Sequence, residues 1–329
     1  MKATRESYGE ALAMLGEKYP NLVVLDADLS GATKTNLFRK KYPERFINVG
    51  IAEQDLMGTA AGLALGGKIP FASTFAVFAS GRAYDQVRNT ICYGNINVKI
   101  GATHAGITVG EDGATHQALE DISLMRGLPN MTVLSPSDDM QTKWIIEEAI
   151  KINGPVYVRL TRPATEEIYR EGDVFEIGKG IQHGEGTDAT IIVTGVTVAE
   201  ALKAQRDLIG EGINVRVIDM HTIKPLDKEI ILKAARETNH IFTVEDHSII
   251  GGLGSAVCDI IATATYEELG NKHVGVTKLG INDEFGMSGK WNELLTHYKL
   301  DSEGIKSSVW GRPSNGRKNW NNLKANGLQ

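Results

Sequence analysis

The sequence predicts an α/β protein of two domains, each a mostly parallel sheet flanked by helices. Short runs rich in Val, Ile and Leu alternate with stretches of helical period. Such an order implies parallel strands joined by right-handed helical crossovers. The alternation lapses over residues 164–187, where Glu, Gly and Asp replace it. A chain of 329 residues is long enough for two domains of ordinary size. The expected division is a first domain at 1–163, a linker at 164–187, a second domain at 188–305 and a tail at 306–329.

Composition narrows the class. Hydrophobic residues at 42% and charged residues at 23% are ordinary for a globular protein. A net charge of -6 argues against general nucleic-acid binding. No apolar run is long enough to span a bilayer, and the polar start Met1-Lys2-Ala3-Thr4-Arg5 is not a signal peptide. Cys92 and Cys258 make neither a CxxC pair nor a disulfide framework. A cytoplasmic protein with no membrane association is the expectation.

In the first domain, residues 4–18 read as a helix, with Tyr8, Leu12 and Leu15 at helical spacing. The strand Leu22 to Leu25 delivers Asp26-Ala27-Asp28-Leu29-Ser30-Gly31 at its carboxyl end, where open parallel sheets bind ligands. For Asp28 a turn or a helix cap is the plainer reading. The strand Phe46 to Val49 runs into Gly50, and Glu53 follows in the first turn of a helix. That helix is lean, through Gly58, Thr59, Ala60, Ala61, Gly62 and Ala64, and Gly66-Gly67 ends it. The strand Ile69 to Ser73 then leads to Phe75 and Phe78, one helical turn apart. A carboxyl at a strand end beside two phenyl rings suits a flat polar heterocycle. On residue types alone, an ordinary strand–helix–strand with an acid favoured by the helix dipole suits as well.

Residues 79–93 read as a further helix, with Asp85 and Arg88 spaced to pair. The strand Asn97 to Thr103 opens into the most polar stretch of the chain: Thr103-His104-Ala105-Gly106, then Gly110-Glu111-Asp112-Gly113-Ala114-Thr115-His116-Gln117. Two histidines and two acids there lie within 13 positions. Histidine is the side chain best suited to move protons near neutral pH. A metal site and histidines that merely cap turns are the rivals; no His-x-x-x-His or cysteine partner supports the metal, and no metal ligand is assigned. The strand Met131–Leu134, a helix at 139–151 started by Ser135-Pro136-Ser137-Asp138, and the strand Pro155–Leu160 follow. The last ends in Thr161-Arg162-Pro163, where an arginine suits an anion such as a sugar phosphate, or a surface salt bridge.

The linker carries one expected short strand. The second domain then alternates strand 189–194, helix 197–210, strand 215–220, helix 227–236 and strands 241–244 and 274–279. Gly251-Gly252-Leu253-Gly254 lacks the full GxGxxG spacing, so close helix packing explains it better than a nucleotide. His221 and His247 follow strands and read as structural or interfacial. The tail, with Lys306, Arg312, Arg317, Lys318 and Lys324, reads as an extended arm.

Together, Gly-Ile-Ala-Glu-Gln at 50–54, Ser-Thr-Phe-Ala-Val-Phe at 73–78, the Thr-His…Gly-Glu-Asp-Gly-Ala-Thr-His-Gln run of 103–117 and Leu-Ser-Pro-Ser-Asp at 134–138 resemble transketolase. The stretch Gly280-Ile281-Asn282-Asp283-Glu284-Phe285-Gly286 resembles the end of such chains. The resemblance covers about residues 3–305, a thiamine-diphosphate-binding pyrimidine domain followed by the transketolase C-terminal domain. It implies transfer of a two-carbon ketol unit between sugar phosphates, as in the pentose phosphate pathway, with thiamine diphosphate as cofactor. Glu53 would bond the aminopyrimidine ring and favour its imino tautomer, while Phe75 and Phe78 pack on that ring and Asp28 lies near the cofactor. His104 and His116 would contact substrate hydroxyls and move protons; Asp112 would bind the acceptor's hydroxyl, and Arg5 and Arg162 its phosphate end. Gly81 stands where the family commonly has a tyrosine. Ala32 or Thr33 stands where it often has a phosphate-binding serine.

The family holds diphosphate and magnesium through an N-terminal domain with a Gly-Asp-Gly…Asn motif, and Gly-Asp-Gly is absent here. The chain therefore resembles the C-terminal half of a split transketolase. The implied partner is an N-terminal subunit carrying the diphosphate and a Mg2+ or Ca2+ ion, in an α2β2 heterotetramer. Two related enzymes share the layout, the β subunit of a 2-oxo acid dehydrogenase and deoxyxylulose-phosphate synthase, but both usually lack a histidine at position 104. A non-catalytic regulatory relative is the reading from another class; Glu53, Asp112 and both histidines argue against it.

Overall fold

Runs with no exposed position become strands. Leu22–Asp26, Lys99–Thr103 and Val156–Arg159 are buried along their whole length, as strands covered on both faces must be. The computed structural model describes residues 1–311. Seven strands form the first sheet, in the spatial order 222–224, 132–134, 156–159, 99–103, 69–75, 22–26 and 46–48. Every pair is parallel except the one at the 222–224 edge. Helices Thr4–Lys18 and Asp139–Lys151 cover one face, setting Tyr8, Leu12, Ile145 and Ile146 among Leu22, Phe71 and Val156. Helix Glu53–Leu65 covers the other, with Leu56, Met57 and Ala60 among Leu25, Ala72 and Ile100.

The second sheet has five strands, in the order 275–281, 240–248, 189–193, 215–219 and 181–183. Only 181–183 runs antiparallel. The α/β architecture inferred from the alternation is present in both halves. Among the described residues no helix is long and apolar enough to cross a membrane.

The two sheets are not independent. Strand 222–224 follows the second sheet's 215–219 in the chain yet pairs with 132–134 of the first. One apolar cluster runs from Val133 and Tyr157 to Ile218, Met220, Ile223 and Leu253. A buried ionic chain crosses the same boundary. Arg159 donates from Nε to Asp121 at 2.9 Å and from Nη1 to Asp246, and all three side chains are shut away from solvent. Burial pulls the Arg159 pKa down, but its two carboxylates outweigh that and hold it above the ordinary value.

Several local expectations change. The segment 79–93 does not form one α-helix; it winds wider, as π-helical turns over Phe78–Arg82 and Gln86–Cys92. Ser80 Oγ donates to the Ala76 carbonyl at 2.8 Å, competing for the backbone ladder. Asp85 and Arg88 do not pair, because Asn89 lies between them, donating to Asp85 and accepting from Arg88. The segment 164–187 carries two short strands, Ala164–Thr165 and Ile181–His183, rather than one. Residues 306–310, expected in an extended arm, complete helix Ser302–Trp310. Asp301 caps that helix, accepting from the Gly304 N–H at 2.9 Å, and Ile305 and Val309 bury one turn apart. The remainder of the expected arm, 312–329, lies outside the described residues.

The glycine run has a direct explanation. Glu245 accepts from the Leu253 and Gly254 N–H groups at 2.7 and 2.8 Å, and a Cβ on Gly252 would stand 2.1 Å from that carboxylate. The chain's own acid thus fills the place a phosphate would need. His247 is buried and interfacial, accepting at Nε2 from the Ser123 N–H at 3.4 Å. His221 is buried edge-on to Trp144, and burial lowers its pKa to about 4.

Candidate active site

The carboxyl ends of strands 22–26, 46–48, 69–75 and 99–103, with the turn after 156–159, carry the candidate site residues of the first domain except Arg5, which lies in the first turn of helix Thr4–Lys18. Strand 22–26 has 46–48 on one side and 69–75 on the other, so strand order reverses there, the position at which open parallel sheets take ligands. Glu53 is the first residue of the lean helix and is 2% exposed. Phe75 and Phe78 stack at 5.9 Å between centroids, only 9° from parallel. Another side chain joins them. Arg82 Nη1 donates to both Glu53 oxygens, at 2.9 and 2.8 Å, and its guanidinium carbon lies 4.4 Å over the Phe78 ring. No side-chain wall replaces the tyrosine absent at Gly81, where a Cβ would meet nothing within 4 Å.

His104 is buried, stacks on Phe75 at 3.9 Å and has a left-handed backbone, φ 56. Arg5 Nη1 lies 3.2 Å from its Nε2 and donates to the Ala32 carbonyl at 3.0 Å. Arginine can only donate, so Nε2 accepts and Nδ1 carries the proton, which it gives to Thr103 Oγ1 at 2.9 Å. Burial, then the charges of Arg5, Arg162, His116 and Lys34, push the His104 pKa down to about 3. His104 is therefore neutral at physiological pH. Gly106 closes this turn because a Cβ there would stand 1.9 Å from Asp246 Oδ2. Thr108 also donates to that oxygen, at 3.3 Å. The histidine loop is thus held from the second domain.

His116 is half-buried, edge-on to Phe78 at 5.6 Å, with Nδ1 against Thr115 Oγ1 at 2.9 Å. Asp112 is exposed at the tip of its loop. Arg162 donates to the Val109 carbonyl and to Glu111 at 2.9 Å, so it braces the loop that bears Asp112. Arg5 keeps a buried, unpartnered Nε, and burial lowers its pKa. With Lys34, a half-buried lysine held at φ 68, it makes the rim cationic.

Asp28 stands apart. It is exposed and paired with Asn48, accepting from Nδ2 at 2.9 Å. The buried acid of that loop is Asp26, which accepts from Thr33 and Thr35 hydroxyls at 2.7 and 2.8 Å. Burial pushes the Asp26 carboxyl up. Thr33 is therefore engaged with Asp26, and Ala32 offers only its carbonyl, to Arg5.

The pyrimidine-binding domain model of transketolase matches residues 1–167, and the transketolase C-terminal domain model matches 178–305. A transketolase C-terminal section of Methanocaldococcus jannaschii is 54% identical over 94% of this chain and 95% of its own length. The chain belongs to the transketolase family. A solved split-gene transketolase, described as an inactive β4 tetramer, superposes with a TM-score of 0.86 at 50% identity, covering 94% of this chain and 98% of that one. Human transketolase is 39% identical over 94% of this chain, which spans only 49% of the human protein.

Transketolases imply thiamine diphosphate. The residues here fit one half of it: a buried carboxyl beside two nearly parallel rings suits the hydrogen bonding and stacking of an aminopyrimidine. The diphosphate half needs a divalent cation and oxygen ligands. Among the described residues no group of three or more His, Cys, Asp or Glu side chains could hold a metal ion. Arg82, Asp26 and Lys34 were not singled out in the sequence. Arg82 alone left a usable signal, four positions after Phe78.

Proposed function

We propose that this chain is the C-terminal subunit of a two-subunit transketolase, transferring a two-carbon ketol unit from a ketose phosphate to an aldose phosphate in the cytoplasm, within the pentose phosphate pathway. The observation that carries the reading is the buried Glu53 carboxylate at the head of a lean helix, beside the Phe75–Phe78 stack, with a cationic rim at the same strand ends. Thiamine diphosphate, when bound, accepts the electron pair released as the ketose carbon–carbon bond breaks. Glu53 would share a proton with the pyrimidine, and Phe75 and Phe78 would pack on it. Asp28 would act only at the edge of the cofactor, through the Asn48 turn.

Neutral His104 would orient and accept from a sugar hydroxyl. Its Nε2 is engaged by Arg5, and an arginine drawn to a substrate phosphate would release it. His116, edge-on to both Phe75 and Phe78, would move a proton. Arg5 and Arg162 would hold the phosphate end, and Asp112 would take the acceptor's hydroxyl.

An N-terminal subunit would supply the Mg2+ or Ca2+ ion and the diphosphate contacts, in an α2β2 assembly. Two things support this: the missing Gly-Asp-Gly motif, and a structural relative described as inactive when four β chains assemble. The test is reconstitution. The purified chain should show no ketol transfer, and adding an N-terminal subunit, thiamine diphosphate and magnesium should restore it. Full activity from this chain alone would refute the divided site.

A further inference from the structure

The Glu53 carboxylate is buried, but its partner is not. The Arg82 side chain is 49% exposed against 2% for Glu53. Its guanidinium is a flat, delocalised cation that presents N–H groups in its own plane. It makes two contacts at once: Nη1 to both Glu53 oxygens, and its face over Phe78 at 4.4 Å. These are the same two contacts, a carboxylate bond and a ring stack, assigned to the aminopyrimidine in the proposed function, on which this inference rests. Two planar groups cannot occupy one ring face and one carboxylate together.

We propose that Arg82 is a built-in competitor for the pyrimidine seat, holding Glu53 and the Phe78 face until the cofactor displaces it. The local chain is suited to the exchange. A buried carboxylate without a partner is unfavourable, so a resident cation keeps the seat formed. Half-exposure lets the guanidinium leave toward solvent without opening the core. Gly81, with open space around it, puts no side chain in its way. The lean helix supplies the seat, and Arg82 sets how tightly it takes the cofactor. Apparent affinity falls by the fraction of molecules in which the seat is free.

The test is calorimetric titration of the assembled two-subunit enzyme with thiamine diphosphate and magnesium. Arg82→Ala should tighten the apparent Kd by roughly tenfold, the scale of one charge-assisted hydrogen bond. KM for the sugars at saturating cofactor should stay unchanged. Arg82→Lys, which keeps the charge but loses the flat stack, should fall between. A purely structural Arg82 predicts the opposite: a less stable chain and weaker cofactor binding. Unchanged or weaker binding in Arg82→Ala, with tight binding by the wild type, overturns this inference alone. A wild-type assembly that bound no thiamine diphosphate would overturn the proposed function as well. Should Arg82→Ala fail to fold, a structure of the wild-type assembly with cofactor decides: Arg82 still within roughly 4 Å of Glu53 sinks the competitor role.

Discussion

The first and second sheets both end their parallel strands on polar residues, and the fates of those residues differ. In the first sheet Arg82, Arg5, Arg162 and Asp112 reach solvent, and the buried Glu53 is held by the half-exposed Arg82. In the second sheet Asp219, Glu245, Asp246 and His247 are wholly buried. Asp219 accepts from Tyr169 at 2.7 Å, Gln141 at 2.9 Å and Ser137 at 3.1 Å. Burial still pushes its carboxyl up to about 6, against those three donors. Asp246 takes Arg159 and Thr108, and Glu245 caps the following helix, Leu253–Thr263. Most of these donors come from the first domain. The second sheet therefore uses its strand ends as a joint, and the first leaves side chains at its strand ends open to solvent. Polar strand ends are common to both; the exposure of the side chains around them separates the two.

That contrast can be broken at the open end first. Glu53→Gln should reduce ketol transfer by the reconstituted enzyme to background while the far-UV circular dichroism stays native. Near-normal turnover would remove the carboxylate from the reaction. Next, His104→Ala and His116→Ala should each lower kcat by roughly 10²–10⁴-fold, the scale of a lost proton-transfer group, with cofactor affinity changing less. Full activity in either variant would exclude that histidine.

The joint should answer in stability rather than in chemistry. Asp246→Ala leaves Arg159 one carboxylate short in the interior and should lose about 3–5 kcal/mol in urea unfolding. A loss under about 1 kcal/mol would show the joint to be solvated. The smallest effect belongs to the rim. Arg162→Ala should raise KM for phosphorylated sugars by the equivalent of about 1.5–3 kcal/mol and leave unphosphorylated ones unchanged. Equal effects on both would mean that Arg162 acts only by bracing Val109 and Glu111.

What the sequence made legible follows the same divide. Glu53, Phe75, Phe78 and the two histidines lie in local motifs, and the alternation of strands and helices revealed the architecture. Arg82 stands four positions after Phe78, but nothing local tells an arginine on a wide helical turn to fold back onto Glu53, the first residue of the preceding helix. Asp28 drew attention over Asp26 since both end one strand, and only the third dimension shows which one is buried. The Asp121–Arg159–Asp246 chain joins residues 38 and 87 positions apart, and such pairings leave no period to read. The expected Asp85–Arg88 pair failed for a local reason, a neighbouring Asn89 that both residues prefer.

Strand 222–224 settles how far this molecule is modular. It closes the edge of the first sheet by pairing with 132–134, and Lys224 reaches on to the carbonyls of Arg126 and Leu128. A fragment ending near residue 163 would bare that edge, a row of unpaired backbone donors and acceptors that recruits further copies. The piece that can be moved, swapped or grafted is therefore the two domains together, and a designer who cuts between them should expect aggregates in place of a smaller enzyme part.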